Sequence, residues 1–435
     1  MAGLLPRDDS RLLSISPGRA RFETPAAALT AGASGLILVR MAAAPPIAAD
    51  FQLMAKPMGP RCNLACVYCF YRGKEALYPD ERHWKMRPAV LEAYVRQYLA
   101  CLHRAPEVTF AWQGGEPTLA GLDFYKRAVA LQRAGAPPGR RIGNSLQTNG
   151  ILLDDAWCRF LRDENFLVGL SLDGPPELHD PYRVFPDGRP TAARVLDALA
   201  RLRRHGVEFN VLCSVHRLNA ARPREVYEFL REHGVKFMQF IPIVVPAEGA
   251  PGAATPESVT PELWGGFLCE IFDVWVRRDV GAVFVQAFDM TLAAWTGRVP
   301  PLCVMNETCG RALILEHNGD VYSCDHFATP DHRLGNILQR PLAEIVNSPR
   351  QAAFARDKRD RRPASCRACR YDFACRGECP KNRLAPPPGE DQPRSWLCSG
   401  YFRFFEHSAP FMGQMAEALA RGLPAAVVMR QFGNG

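Results

Sequence analysis

Three cysteines near the start of the chain have the spacing of a metal-binding loop. Cys62, Cys66 and Cys69 are separated by three and then two residues, in the segment CNLACVYC. Thiolates suit iron or zinc. A structural site is usually closed by four ligands, whereas a site with three leaves one position open for a substrate or cofactor. The count therefore predicts a metal site with an open position, and in a cubane iron–sulfur cluster held by three cysteines that position would be one open iron. The alternative is a zinc loop that a distant ligand completes.

A second group of cysteines lies in the last third of the chain. The run from residue 366 to 379 partly resembles ferredoxin spacing, in which the fourth cysteine serves the other cluster. Eight thiolates complete two four-ligand sites, each of them closed. The alternative is a pair of zinc ribbons. The eight residues are Cys303, Cys309, Cys324, Cys366, Cys369, Cys375, Cys379 and Cys398.

The composition is that of an ordinary globular protein except for its cysteines. Of the 435 residues, 47% are hydrophobic and 23% are charged. The 15 cysteines are clustered, and the N-terminus lacks the features of a signal peptide, which favours metal sites in a reducing cytoplasm over disulfides. The net charge of +8 is spread along the chain without a basic tract. The apolar stretch at residues 35–39 is too short to cross a membrane. We therefore expect a cytoplasmic protein without a nucleic-acid or membrane partner.

Short apolar runs alternate with amphipathic helices over residues 51–290. This alternation predicts an α/β fold with a parallel sheet. Six units are two short of a closed eight-fold barrel, so we expect a partial, splayed TIM-type (β/α)6 barrel with its chemistry on the loops after the strands. The first cysteine loop follows the first predicted strand. The predicted strands are Phe51–Lys56, Val108–Trp112, Ser145–Thr148, Leu167–Leu172, Phe209–Ser214 and Phe237–Ile241.

The remaining segments differ in character from the barrel. Residues 1–50 are rich in Ala, Pro and Arg and are predicted to be a loosely ordered extension. Residues 291–400 hold the eight distal cysteines and few apolar runs, so metal sites are expected to hold this domain together. Asn318-Gly319, between ALILEH and DVYSCD, predicts a β-hairpin there. Residues 401–435 are predicted to be a terminal helix that packs back on the body.

The first cysteine loop resembles that of the radical S-adenosylmethionine (radical SAM) superfamily. Two further segments strengthen the resemblance: GGEP at residues 114–117 after the second strand, and SLDGP at 171–175 after the fourth. The resemblance implies that the open iron binds the methionine moiety of S-adenosylmethionine. One electron then cleaves the sulfonium and releases a 5′-deoxyadenosyl radical.

The distal cysteines resemble the SPASM domain, a twin-cluster extension of peptide-modifying radical SAM enzymes. The resemblance implies two closed [4Fe-4S] clusters, and thus three clusters in the whole chain. One cluster would use the first auxiliary set: Cys303, Cys309, Cys324 and Cys379. The other would use the second auxiliary set: Cys366, Cys369, Cys375 and Cys398.

Longer segments narrow the resemblance to the anaerobic sulfatase-maturating enzymes. These segments are CVYCFY (66–71), FAWQGGEPTLAGLDFY (110–125), NSLQTNG (144–150), FLVGLSLDGP (166–175) and NGDVYSCD (318–325). The resemblance implies oxidation of a Cys or Ser in a C/S-x-P-x-R sequence of a sulfatase to Cα-formylglycine. The adenosyl radical would take a hydrogen from Cβ, a base would take the thiol or hydroxyl proton, and the auxiliary clusters would accept the remaining electron. This gives an aldehyde from Ser or a thioaldehyde from Cys, and hydrolysis of the thioaldehyde yields formylglycine. The implied partners are an unfolded or nascent sulfatase chain and a flavodoxin- or ferredoxin-type electron donor.

The same resemblance assigns roles to individual residues. Asp325, directly after Cys324, would be the base, and burial near the substrate is expected to raise its pKa toward a useful value. The GGEP segment, with its Glu116, would form the site for the methionine amino group. The other S-adenosylmethionine contacts would be Tyr68, Gly115, Ser171, Arg183 and the backbone near Met238, while Gln113 and Tyr71 would face the substrate.

Two other functions remain open at this point. Another SPASM maturase, forming thioether or carbon–carbon links in a ribosomal peptide, would share the eleven cluster cysteines. Asp325 and the QGGEPTLAG context argue against it. A non-enzymatic electron carrier or zinc scaffold would share the cysteines but hold no S-adenosylmethionine.

Overall fold

One mixed sheet of ten strands organises the molecule. The computed structural model describes residues 51–300 and 302–433, so the predicted extension at 1–50 lies outside the described residues. The strand order is β10-β9-β8-β1-β2-β3-β4-β5-β6-β7, and strands β11 and β12 form a separate pair. The strands are β1 Gln52–Ala55, β2 Glu107–Trp112, β3 Arg141–Thr148, β4 Phe166–Ser171, β5 Phe209–Val215, β6 Phe237–Pro242, β7 Phe284–Val285, β8 Ala312–Leu315, β9 Asp320–Tyr322, β10 Arg333–Asn336, β11 Arg383–Ala385 and β12 Arg394–Ser395.

Helices connect the parallel strands, as in an α/β barrel. They begin and end where the local chemistry favours it: Pro88 occupies the first turn of α1, and Gly206 closes α5 in the left-handed conformation with φ of 67°. The helices are α1 Pro88–Cys101, α2 Leu122–Gly135, α3 Asp155–Asp163, α4 Pro176–His179, α5 Ala192–His205, α6 Arg217–Ala220, α7 Pro223–Glu232, α8 Pro261–Arg278, α9 Gln286–Trp295, α10 Leu342–Val346, α11 Pro349–Asp360, α12 Ala364–Arg367, α13 Asp372–Cys375 and α14 Cys398–Ala420.

The six predicted strands are confirmed as β1 to β6, and β1 to β7 pair in parallel in chain order. The partial parallel α/β barrel is therefore confirmed. The two-residue strand β7 was not predicted because two residues carry no readable periodicity. Every parallel strand ends at the same edge of the sheet, so the loops that follow the strands meet there.

The cysteine-rich segment is joined to the barrel through the sheet itself. The predicted hairpin forms strands β8 and β9, and β10 adds a third antiparallel strand. Strand β8 pairs in parallel with β1, with Leu53 opposite Leu313 and Ala55 opposite Leu315. The end of β8 therefore lies beside the end of β1, at the edge where the first cysteine loop begins. The predicted division of the chain at residues 290 and 400 stays a prediction.

The long helix α14 packs against α8 at a point where both helices carry glycine. A Cβ on Gly400 would lie 2.3 Å from the carbonyl oxygen of Pro261, so only glycine allows this approach. This contact secures the predicted terminal helix on the barrel. Within the described ranges, no helix is both long enough and apolar enough to cross a membrane.

Candidate active site

The loop of the first three cysteines is fastened by its backbone to the loop that follows β4. The residues on either side of Cys66 donate their N–H groups to the carbonyls on either side of Arg183, at 2.8 and 2.9 Å. Cys66 is buried, whereas Cys62 and Cys69 are exposed, and none of the three is in a disulfide. The structure thus holds Arg183 at a fixed distance from the cysteine loop.

Gly115 brings the loop after β2 against the same cysteine loop. Its N–H donates to the carbonyl of Gly59 at 2.8 Å, and the N–H of Glu116 donates to the carbonyl of Arg61 at 2.8 Å. A Cβ on Gly115 would lie 2.1 Å from the Arg61 carbonyl oxygen. The glycine is therefore required here by the approach of two stretches of backbone.

The Glu116 carboxylate is buried and accepts four hydrogen bonds from groups that follow β2 or lie at the end of β3. The donors are the N–H of Thr118 at 3.0 Å, the hydroxyls of Thr118 and Thr148 at 2.6 and 2.7 Å, and the N–H of Asn149 at 2.8 Å. Burial raises the pKa of this carboxyl above its usual value. The carboxylate ties the end of β2 to the end of β3, and its contact with S-adenosylmethionine stays a prediction.

Two of the predicted cofactor residues converge on Asp173. Its carboxylate accepts from Arg183 Nε and from the Ser214 N–H, both at 2.8 Å, and from the Tyr68 hydroxyl. Burial alone would raise the pKa of Asp173, but the Arg183 guanidinium holds it below its usual value. The carboxylate thus fixes the Arg183 guanidinium and the Tyr68 phenol in one place beside the cysteine loop. Ser171, buried at the last position of β4, lies two residues away.

Met238 lies within a strand and not in the loop after it. It is the second residue of β6 and pairs with Val211 and Val285. Ser171 pairs with Leu212, one residue further along, so Met238 lies one row below Ser171 in the sheet. The expected backbone contact with the cofactor stays a prediction.

Asp325 lies opposite the end of β1, where it pairs with a buried lysine. Lys56 Nζ is 2.6 Å from Asp325 Oδ1, with side chains only 1% and 5% exposed. The same ammonium donates to Gln113 Oε1 at 2.9 Å and lies 4.0 Å from the centre of the Tyr71 ring. The two predicted substrate-side residues and the predicted base therefore surround one cation.

The expectation that the pKa of Asp325 lies above its usual value is wrong in direction. Burial acts upward on this pKa, but the Lys56 ammonium and His326 outweigh it, and the pKa is held below its usual value. Asp325 is therefore an ionised carboxylate at neutral pH. Sequence reasoning missed this because Lys56 lies far from Asp325 along the chain.

Three residues of the site were not singled out from the sequence: Lys56, Asp173 and Glu316. Glu316 is buried and accepts from the Tyr71 hydroxyl. Lys56 and Glu316 each come directly after the last residue of a strand. A charged residue at the carboxyl end of a barrel strand is the signal that would have found both.

The first auxiliary set surrounds one cavity. Its four cysteines line this cavity together with apolar residues that include Val304, Phe327 and Phe354. A cavity with four thiols and otherwise mainly apolar walls fits a closed iron–sulfur cluster. In the second auxiliary set, Cys366, Cys369 and Cys375 lie close enough to Cys398 for their charges to interact. Across residues 51–300 and 302–433, no group of three His, Cys, Asp or Glu side chains is placed to hold a single metal ion.

Comparison with known proteins identifies the class first. Residues 57–236 match the model of the radical SAM superfamily, and residues 303–370 match that of the SPASM iron–sulfur cluster-binding domain. The chain is therefore a radical SAM enzyme with iron–sulfur clusters.

Individual relatives define the family. The chain is 43% identical to the serine-type anaerobic sulfatase-maturating enzyme of Bacteroides thetaiotaomicron, over 90% of this chain and 97% of that protein. It is 34% identical to the cysteine-type enzyme of Clostridium perfringens, over 82% and 96%. The solved structure of native anSMEcpe with bound AdoMet and the Kp18Cys peptide superposes with a TM-score of 0.77, at 34% identity over 85% of this chain and 99% of that one. The chain belongs to the anaerobic sulfatase-maturating enzymes.

Proposed function

We propose that this enzyme oxidises a Cys or Ser side chain of a sulfatase, within a C/S-x-P-x-R sequence, to Cα-formylglycine. One observation carries the proposal. Asp325, which follows a cysteine of the first auxiliary set, is held by Lys56 at the end of β1, the strand that leads into the cysteine loop. A proton acceptor and an electron-accepting site therefore lie together at the edge of the sheet where the radical is expected.

The residues that would bind the cofactors fit this proposal. The first three cysteines would hold a [4Fe-4S] cluster, and the loop at Gly115, the Ser171 hydroxyl, Tyr68 and Arg183 would bind S-adenosylmethionine. When bound, this cluster and cofactor supply a radical that removes a hydrogen atom from the substrate's Cβ. Asp173 keeps Arg183 and Tyr68 in place through hydrogen bonds that need no ligand. Two closed clusters on the auxiliary sets would bring the total to three.

Asp325 is proposed to accept the proton from the substrate. A radical centre on Cβ makes the attached thiol or hydroxyl proton much more acidic, so a carboxylate of low pKa can accept it. The low pKa of Asp325 also keeps it ionised before the substrate binds. Gln113 and Tyr71, which contact Lys56 on its other sides, would position the target side chain beside this carboxylate.

The electron that remains is proposed to leave through the first auxiliary set, because Asp325 directly follows its member Cys324 in the chain. Loss of this electron gives the aldehyde from Ser, and from Cys a thioaldehyde that water hydrolyses to the aldehyde with release of hydrogen sulfide. A flavodoxin- or ferredoxin-type protein in the cytoplasm would supply the electron that starts the reaction.

The sequence identity of this chain to two serine-type relatives is 43% and 40%. Its identity to the cysteine-type relative of Clostridium perfringens is lower, 34%. A Ser-containing peptide is therefore the first substrate to test.

The decisive experiment is incubation of the reduced enzyme with S-adenosylmethionine and matched peptides that carry Ser, Cys or Ala in the C/S-x-P-x-R position. We expect the mass of formylglycine at that position for Ser or Cys, and no change for Ala. A hydrazide should react with the product, since it is an aldehyde. Formation of 5′-deoxyadenosine without aldehyde from either peptide would reject the proposal. A product of altered mass that does not react with hydrazide would indicate a thioether or carbon–carbon link, the alternative reaction.

A further inference from the structure

A buried lysine adjoins the cavity of the first auxiliary set. Lys358, on α11, is 1% exposed. Its ammonium donates to the carbonyl oxygens of Cys303 at 2.7 Å and Val304 at 2.9 Å. Both acceptors belong to residues that line the cavity. In the part of the chain that the structure describes, this ammonium forms no ion pair with a carboxylate.

The acidic groups that act most strongly on Lys358 are cysteine side chains, ahead of the buried Glu378. The three that act most strongly on it belong to Cys309, Cys379 and Cys303, all members of the first auxiliary set. Burying an ammonium without a counter-anion is unfavourable, so an anion in the cavity would stabilise it. A cluster with four thiolates carries a net negative charge and is the anion that this cavity is built to hold.

A second cation, Arg383, provides a contrast. It donates to the backbone carbonyl of Lys358 at 2.9 Å, and its charge acts on Cys366 of the second set as well as on Cys309 and Cys379 of the first. Arg383 therefore acts on both sets. The thiolates that act most strongly on Lys358 all belong to the first.

We infer that Lys358 is a positioning residue that raises the reduction potential of the cluster in the first auxiliary set relative to that in the second. The inference rests on the proposed function, because it requires a cluster on each set. One-electron reduction adds a negative charge to a cluster, and a fixed cation in a medium of low polarity stabilises the more negative state. The set beside Asp325 thus becomes the stronger acceptor for the electron that the substrate radical gives up.

The test uses the full-length chain with Cys62, Cys66 and Cys69 replaced by Ala, so that only the two auxiliary sets hold iron. Redox titration under anaerobic conditions, followed by electron paramagnetic resonance, gives the two midpoint potentials. In this background Lys358→Met should reduce the equilibrium constant for reduction of the cluster in the first auxiliary set about tenfold. This lowers its midpoint potential by about 59 mV for a one-electron couple. The other potential should move much less.

Further variants separate charge from packing. Lys358→Gln can still donate to the two carbonyls but is neutral, so it should lower the potential as Lys358→Met does. Lys358→Arg keeps the charge and should hold the potential near its original value. Lys126→Met, at a lysine whose side chain is 56% exposed on α2, should change neither potential.

Each remaining outcome has one meaning. If both clusters are present and Lys358→Met and Lys358→Gln leave both potentials unchanged, or move both equally, the role of Lys358 is rejected. The same holds if Lys358→Arg behaves like the neutral variants. If the background protein binds iron for fewer than two clusters while Lys358 is intact, the proposed function fails independently of Lys358.

Discussion

Replacement of Lys56 by Met should show how much the buried ion pair at the site stabilises the folded protein. Lys56 Nζ lies 2.6 Å from Asp325 Oδ1, and the two side chains are 1% and 5% exposed. Removing one partner of such a pair leaves an unpaired buried charge, which costs about 3–5 kcal/mol. At roughly 2 °C per kcal/mol for a large domain, the melting temperature should fall by about 6–10 °C. Circular dichroism under anaerobic conditions measures this fall.

A surface pair of equal length is the matched control. Arg127 and Glu92 also approach to 2.6 Å, but their side chains are 52% and 49% exposed. Water screens this pair, so Arg127→Met should cost less than about 1 kcal/mol. The contrast between two pairs with the same distance isolates the effect of burial.

The double variant Lys56→Met with Asp325→Leu tests the reasoning most directly. When both charges are replaced by apolar side chains of similar volume, the cost should be mostly recovered, because no unpaired charge remains. A melting temperature near that of the original protein is expected. If the double variant is as unstable as the sum of the two single variants, the pair is not coupled, and the account of how Asp325 is held is wrong.

Four further predictions concern catalysis, cofactor content, packing and pH. Asp325→Asn should still form 5′-deoxyadenosine but lose most of its formylglycine; undiminished product by mass spectrometry would remove Asp325 as the base. Anaerobic reconstitution should give iron near twelve atoms per chain, whereas zinc bound without iron would exclude radical chemistry. Gly115→Ala places a Cβ 2.1 Å from the Arg61 carbonyl oxygen and should lower stability by about 1–3 kcal/mol, measured by thermal melting; an unchanged melting temperature would contradict the described approach. Burial lowers the pKa of His179 to about 4 from an ordinary 6.5. The unfolded chain therefore binds the proton first, and stability should fall by roughly 3 kcal/mol between pH 6.5 and 4. Melting temperatures across this range should depend less on pH in His179→Asn, and an equal dependence would refute the assignment.

The barrel could be predicted because its strands are apolar runs bounded by helices with clear start and stop signals. The pairing of β8 with β1 could not, because hydrophobic patterning shows which residues are buried but not which sheet edge a strand joins. The position of Asp325 was likewise readable from its neighbour Cys324, but its ionisation was not. That property depends on Lys56, which only the folded chain brings within 2.6 Å.

Glu116 illustrates a different limit of sequence reasoning. A carboxylate in a GGEP segment after a strand indicates a ligand site, and the segment does lie against the cysteine loop. The carboxylate itself accepts hydrogen bonds from Thr118, Thr148 and Asn149. A motif thus marks the place of a site, while the partner of each atom is decided by neighbours that the motif does not include.

The pairing of β8 with β1 also has a consequence for synthesis on the ribosome. Strand β1 ends at Ala55, but the strand that covers one of its edges does not begin until Ala312. Until that point has been translated, β1 presents an open row of backbone donors and acceptors, which is a hazard for aggregation. Contacts so distant along the chain also form late. We expect a ribosome-bound chain truncated before residue 312 to be sensitive to protease near β1, and to gain protection once β8 has emerged.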